Sequence, residues 1–457
     1  IESRYSLLDS FINFRHWWLG HVKTQISAVG IPNEIKSLVA YPVALFGSGV
    51  SGRAVMDLLR HHNISFLSFD ERGGENDRHF FNSSDAREHP LVIYSPGFTQ
   101  NHPWLQTARS EGCLCLGEID FASLFWKGRI ITITGTNGKT TLTEFISFAL
   151  KRQGTDALAV GNNGFPFSRL HDLKTTERKV AGCEVSSFQA ESFHYFKTDG
   201  LIWTNFTEDH LDRYKNCENY FSAKWNLVKS LRHSSFIAGE SVAKAAEKFD
   251  YQMPEFVEIV TETEESPWSI PQGSVFATHP QRNNLQLALS YWESEGYSKT
   301  ILKDAVVRFP PRRHRLEKVV VINDVNFWND SKATNFAATY AALKEFEKPV
   351  IWIGGGLSKG GDIKNFARGV ADKVKSAYLI GETAETIVSG FNEKKKSADR
   401  CETIQDAVFY AFEKAEPNDI VLLSPGFSSQ DMFENYNQRG TSFVNAVMSL
   451  KVPLNTK

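Results

Sequence analysis

No run of apolar residues in this chain approaches the roughly 20 needed to cross a bilayer as a helix. The cleanest apolar stretches, residues 130–133 and 350–353, are a fraction of that length. Cysteine is scarce: Cys113, Cys115, Cys183, Cys217 and Cys401 are the only five in 457 residues, and only the first two lie close together. That is too thin for a disulfide framework and reads as reduced thiols. Net charge is nearly absent, at -2 from 51 Lys plus Arg against 53 Asp plus Glu. This excludes a global attraction to nucleic acid or anionic lipid, so any polyanion must be gripped locally. The first residues lack the charged start, apolar stretch and small-residue cleavage site of a secretion signal, which gives the expectation of a cytoplasmic protein. What is present is ordinary globular material, 41% hydrophobic and 23% charged. At roughly 150 residues per domain such a chain makes about three domains.

Short β-branched runs ending in Gly or Ser, each followed by an amphipathic stretch, recur along the chain and read as βα units with parallel strands, so the fold class is α/β. The clearest strands are expected at 43–46, 91–94, 129–134, 201–204, 350–353, 377–380 and 420–423. Nearly all end at polar or glycine-rich motifs, as expected where parallel sheets bind ligands at the carboxyl ends of their strands. Residues 1–40 carry Phe11, Phe14, Trp17 and Trp18 in a rough helical stripe and no evident chemistry. RFPPRRH at 308–314 reads as a linker, and a weaker boundary falls near Gly117.

The strongest chemical signal is RIITITGTNGKTT, a strand running into a glycine turn and then a helix with Leu142, Phe145, Ile146 and Ala149 on one face. Such a turn aims backbone N–H groups and a helix N-terminus at phosphate; Lys139 adds a point charge and the Thr140 hydroxyl a Mg²⁺ ligand. Only two residues separate Gly135 from Gly138, where the general loop has four between its glycines. A second glycine pattern, Gly47, Gly49 and Gly52 in FGSGVSG with Asp70 further on, matches a dinucleotide turn and leaves a nicotinamide or flavin site open. Glu184 in CEVSSFQAE and His210 in TNFTEDHLDRY are candidate metal ligands; Lys224 reads by default as a solvated helix lysine. In the last third RHRLE, NDSKATN and LSPGFSSQDMFENYNQRG mix cations, acids and amides, while GGGLSKGGD at 354–362 reads as a flexible polar loop.

Taken in order, GTNGKTT, GNNG (161–164), EVSSFQ, NFTEDHLDRY, HPQRN (279–283), RHRLE, NDSKATN and LSPGFSSQDMFENYNQRG resemble the Mur ligases over about residues 41–450. The resemblance implies three domains: a Rossmann-like UDP-substrate domain at 41–117, a central P-loop ATPase-type α/β domain at 118–311 and a Rossmann-like amino-acid domain at 312–457. It implies an ATP-dependent ligase that adds D-glutamate to UDP-N-acetylmuramoyl-L-alanine through an acyl phosphate, in the cytoplasm, with two Mg²⁺ ions and as a monomer, with no nucleic-acid partner and no membrane insertion. By the same resemblance Gly135, Thr136, Asn137, Gly138, Lys139, Thr140 and Thr141 hold the ATP phosphates, and Asn283, Arg315 and His279 face the ATP. Thr140, Glu184 and His210 serve Mg²⁺, joined by Lys224 as a lysine that CO₂ carbamylates. Lys139, His210, Lys224, Asp330 and Lys332 form the catalytic set, and Lys332, Ser429 and Tyr436 grip D-glutamate. Gly49, Val50, Ser51, Asp70, Glu71, Arg72, Ser95, Pro96 and Gly97 line the UDP end, with Asn162, Ser186 and Gln189 toward the muramoyl-alanyl part.

Asn163, Pro280, Gly426, Phe427 and Tyr436 depart from the usual family residues. The competing readings are a related Mur or folylpolyglutamate-type ligase with another amino acid or acceptor, a non-catalytic UDP-sugar-binding relative, and a dinucleotide-dependent oxidoreductase.

Overall fold

The structure, a computed structural model, describes residues 31–451 apart from 75–76, 163, 173–178, 234, 264–266, 272–273, 278–280 and 349. The aromatic stripe Phe11 to Trp18, together with Asn163, His279 and Pro280, lies outside the described residues. Three sheets follow one another along the chain. The first is all parallel in the order β2-β1-β3-β4, from β1 (Val43–Phe46), β2 (Phe66–Phe69), β3 (Leu91–Tyr94) and β4 (Leu114–Gly117). The second contains β5 (Arg129–Thr134), β6 (Ala157–Gly161), β7 (Val180–Glu184), β8 (Gly200–Trp203), β9 (Phe236–Gly239) and β10 (Val257–Val260), in the order β10-β9-β8-β5-β7-β6. The third runs β11-β12-β16-β13-β14-β15, from β11 (Glu317–Ile322), β12 (Val325–Asn329), β13 (Val350–Gly354), β14 (Val374–Leu379), β15 (Ala398–Arg400) and β16 (Ile420–Leu423).

The central strands are continuous apolar runs because helices cover both sheet faces, so β1, β3 and β13 are buried at every position. Helix Lys139–Arg152 buries Leu142, Phe145, Ile146 and Ala149, the face read from the sequence. One element departs from the parallel expectation. β11 and β12 form an antiparallel hairpin, turned by Asn323 and Asp324 at φ 48° and 64°. Two consecutive residues with positive φ are what a two-residue hairpin turn requires, and Asn and Asp tolerate that region best after Gly. Among the described residues no helix is long and apolar enough to cross a membrane.

The chain falls into two compact units. Of the described residues, those within 31–134, 139–202 and 222–236 form the first, and those within 135–138, 203–221 and 237–451 form the second. In the first, Asp120 follows β4 and is fully buried. Its carboxylate accepts backbone N–H bonds from His194 (2.8 Å), Tyr195 (2.9 Å) and Phe196 (2.6 Å). Removing it strands three backbone donors, that of the buried Phe196 among them, so Asp120→Ala is expected to lose about 3 kcal/mol of stability, read by urea unfolding; a loss below about 1 kcal/mol would contradict this role.

Candidate active site

The strand ends of the first sheet gather the residues expected at a UDP group. Gly49 caps helix Val50–His61, leaving the Val50 side chain exposed, with Ser51 in the first turn. Asp70, just past β2, accepts from the Ser48 N–H (2.7 Å), the Ser48 hydroxyl (3.0 Å) and the Arg72 N–H (2.9 Å). Partial burial pushes its pKa up, and these bonds outweigh it, leaving the carboxylate below its usual value. Ser95, at the end of β3, donates to the Gly47 carbonyl at 3.4 Å, and Pro96 and Gly97 form the turn beyond it. Glu71 stands 3.5 Å from His102, and Arg72 is exposed.

Still within the first unit, Glu184 ends β7 buried. Its Oε1 accepts from Asn162 Nδ2 at 2.9 Å, while Oε2 is buried without a hydrogen-bond partner, as is the Thr141 hydroxyl. Lys224 is not the solvated lysine of the residue-by-residue reading. It is 1% exposed and donates to Thr134 Oγ1 at 3.2 Å, and that hydroxyl in turn donates to the Val185 carbonyl. Lys139 and Thr140 open helix Lys139–Arg152. Ser186 and Gln189 satisfy each other in a capping box on helix Ser187–Ala190.

The second unit holds the glycine turn itself. Thr136 bonds the 204–207 segment through its N–H to the Asn205 carbonyl (3.1 Å) and its hydroxyl to the Thr207 carbonyl (3.1 Å). The Asn137 N–H donates to Asn205 Oδ1 at 2.9 Å. Gly138 has φ +84°, and a Cβ there would overlap the amide of Asn284. Asn284 was missed by sequence reasoning; it is buried beside the predicted Asn283 in the first turn of helix Gln281–Ser294, and only its place in QRNN could have flagged it.

His210 sits in a left-handed conformation (φ 57°) with its N–H on Asp209 Oδ1 at 2.9 Å. Asp209 also meets Lys359 Nζ at 3.4 Å, and the Lys359 carbonyl accepts from the Asp212 N–H at 3.2 Å. The 354–362 segment is therefore anchored, against the expectation of a free flexible loop: Gly355 and Leu357 also bond the 425–428 turn. Lys359 was missed because a lysine among glycines carries no local sign of a distant acid.

Asp330 accepts from the Leu316 N–H (3.1 Å) and the Ser424 hydroxyl (2.9 Å). Burial pushes its pKa up to about 7, with Ser424, Leu316, Arg315 and Arg439 opposing. The native state thus holds this proton longer than the unfolded chain. The stability Asp330 contributes is fully present below pH about 4 and is lost as pH rises through about 7. Asp330→Asn should therefore gain in melting temperature relative to the parent as pH is raised across that window; a constant difference would contradict the raised value. Two residues on, Lys332 Nζ lies 3.8 Å from the centroid of the Tyr436 ring. Ser429 is buried in the turn that precedes helix Tyr436–Ser449. Arg439, wholly buried, donates to the Ser331, Phe427 and Ser428 carbonyls and thereby joins the NDSKATN and SPGFSS turns.

Two family descriptions match, the Mur ligase middle domain over residues 133–287 and the Mur ligase glutamate ligase domain over 314–427. The UDP-N-acetylmuramoylalanine–D-glutamate ligase of Caldicellulosiruptor bescii is 34% identical over 449 residues, covering 89% of this chain and 97% of that protein. The chain belongs to the Mur ligase family. The ligase of the same name from Alkaliphilus metalliredigens is 32% identical, covering 87% of this chain and 90% of that protein. Among solved structures, the UDP-N-acetylmuramate–alanine ligase of Thermotoga maritima shares the fold of this Mur ligase at a TM-score of 0.57 and 17% identity, covering 90% of this chain and all of that one. Membership leaves no place for the oxidoreductase reading of FGSGVSG, whose strand-end turn recurs here in a ligase.

Mur ligase chemistry implies Mg²⁺, and the donor set fits it. The buried, unpartnered Glu184 Oε2 and Thr141 hydroxyl are hard oxygen donors, the type Mg²⁺ prefers. Among the described residues no group of three or more His, Cys, Asp or Glu forms a metal cage.

Proposed function

We propose that this Mur ligase joins the amine of D-glutamate to the alanyl carboxylate of UDP-N-acetylmuramoyl-L-alanine, converting ATP to ADP and phosphate, as a cytoplasmic monomer. The observation that carries the reading is the phosphate turn: Gly135–Gly138, pinned by Asn205 and Thr207, opening onto the helix that starts at Lys139. The substrates come from the likeness, over most of the chain, to ligases of that name. The segments 41–117, 118–311 and 312–457, with one sheet each, serve the UDP substrate, ATP and D-glutamate in that order.

A carboxylate is a poor electrophile, so amide formation first needs it phosphorylated. A carboxylate oxygen attacks the γ-phosphorus, the bond to the β-phosphate oxygen breaks, and ADP leaves. The turn amides of residues 135–141 and the Lys139 ammonium hold the charge gathering on the transferred group, and Asn283 and Arg315 hold the nucleotide. Thr140 or its neighbour Thr141, Glu184 and His210 are the residues that would hold Mg²⁺, which would supply Lewis-acid neutralisation of that charge. CO₂ bound to the Lys224 amine as a carbamate would turn a buried cation into a carboxylate suited to a second Mg²⁺. The D-glutamate amine then attacks the acyl carbon, loses a proton, and phosphate departs as the amide forms. Lys332 pairs with a D-glutamate carboxylate, with Tyr436 behind it and Ser429 beside it, while Asp330 fixes the loop that carries Lys332. Gly49, Val50, Ser51, Asp70, Glu71, Arg72, Ser95, Pro96 and Gly97 hold the uridine diphosphate, and Asn162, Ser186 and Gln189 face the muramoyl-alanyl arm.

The test is phosphate release with Mg-ATP and UDP-N-acetylmuramoyl-L-alanine against a panel of D- and L-amino acids. Release confined to D-glutamate is expected. Release with another amino acid would move the substrate, and nucleotide binding without release would favour a sensor.

A further inference from the structure

The side chain of Asn137 is hydrogen-bonded within the protein. It points from the phosphate turn to Asn335, and the two amides pair reciprocally: Asn335 Nδ2 donates to Asn137 Oδ1 at 3.0 Å and Asn137 Nδ2 donates to Asn335 Oδ1 at 3.3 Å. The same Asn335 Nδ2 donates to Asp209 Oδ2 at 3.2 Å, and the same Oδ1 caps helix Phe336–Lys344 by accepting from the Ala338 N–H at 3.0 Å. Asn335 is buried, three residues beyond Lys332 in one loop. A single amide thus joins the phosphate turn, the acid beside His210 and the loop that carries Lys332. A cap alone needs only an acceptor oxygen, which Ser or Asp supplies equally well. The amide donor is what the cap leaves unexplained.

We propose that Asn335 is a positioning residue that ties the phosphate turn to the Lys332 loop, so that the nucleotide site and the amino-acid site hold one geometry. This rests on the function proposed above. Losing the tie leaves each half folded but lets the amine wander from the acyl phosphate, and positional error of this kind falls on the bimolecular step between them.

Two variants separate the tie from the cap. Asn335→Ser keeps a capping oxygen and removes the amide. Asn335→Asp keeps the cap and sets a carboxylate against Asp209 and Asn137 Oδ1. Phosphate-release kinetics, melting temperature and Mg-ADP affinity by calorimetry are measured on the parent and both variants. For Asn335→Ser a melting temperature within about 2 °C of the parent is expected, for Asn335→Asp a lower one because its carboxylate faces Asp209, and for both a KM for the UDP substrate within about twofold. Alongside these, kcat/KM for D-glutamate should fall about tenfold in Asn335→Ser and further in Asn335→Asp, with Mg-ADP bound about fivefold more weakly. The proposal is overturned if both variants keep kcat/KM and Mg-ADP affinity within about twofold, if the loss in Asn335→Ser comes with a comparable loss of melting temperature, or if the losses fall equally on the UDP substrate. A parent protein that binds Mg-ADP but ignores D-glutamate would sink the functional reading and leave the Mg-ADP arm to judge Asn335.

Discussion

Gly135→Ala is expected to abolish ATP-dependent phosphate release, by about a thousandfold or more, while the rest of the chain stays folded. Gly135 has φ +143°, and a Cβ built there would overlap the Thr204 hydroxyl. That hydroxyl donates to the Asn137 carbonyl at 2.6 Å, so it cannot yield without unlocking the turn. Backbone this far into positive φ is essentially closed to residues with a side chain. The N–H groups meant for phosphate would then point elsewhere. Calorimetry with Mg-ADP beside a melting curve checks the point: no detectable binding with a melting transition retained is expected. Lys139→Met makes the useful contrast, because it keeps the turn and removes only the charge. It should still bind Mg-ADP, more weakly, and lose turnover by a similar factor. Wild-type binding in Gly135→Ala would mean that the turn does not hold phosphate.

Glu184→Gln should separate activity from stability. The carboxylate keeps one buried oxygen without a hydrogen-bond partner, a costly arrangement unless a cation completes it. Replacing it by a neutral amide relieves that cost, so the melting temperature should hold or rise. Turnover should fall about a hundredfold, and the Mg²⁺ concentration needed for half-maximal phosphate release should rise about tenfold. An unchanged Mg²⁺ requirement would exclude Glu184 from the metal site. Asn162, the amide on the other oxygen, serves as the control: Asn162→Ala should shift the Mg²⁺ requirement less, because it leaves the ligand charge in place.

The parts of the fold legible in the sequence were those whose signal is local. β1, β3, β5 and β16 fall where their apolar runs place them, because a fully buried strand is a short apolar block bounded by polar or glycine residues. The β11 and β12 hairpin escaped notice: its half-exposed strands break the apolar run, and its Asn-Asp turn is a weaker sign than Asn-Gly. In the site, glycines and a lysine before a helix announced the phosphate turn. Asn284, Asn335 and Lys359 did not announce themselves, because their meaning lies in partners far along the chain, such as Asn137 for Asn335 and Asp209 for Lys359. Lys224 marks the same limit from the other side. Helical spacing gives it a solvated default, and only the tertiary fold buries its amine against Thr134.

The most direct test of the account follows oxygen. UDP-N-acetylmuramoyl-L-alanine labelled with ¹⁸O in the alanyl carboxylate is turned over with Mg-ATP and D-glutamate, and the phosphate and amide product are weighed by mass spectrometry. Attack of that carboxylate on the γ-phosphorus predicts one ¹⁸O in each phosphate released, one ¹⁸O retained in the new amide, and a product heavier by one glutamyl residue. Unlabelled phosphate, or labelled substrate recovered without an amide, would contradict an acyl-phosphate ligase.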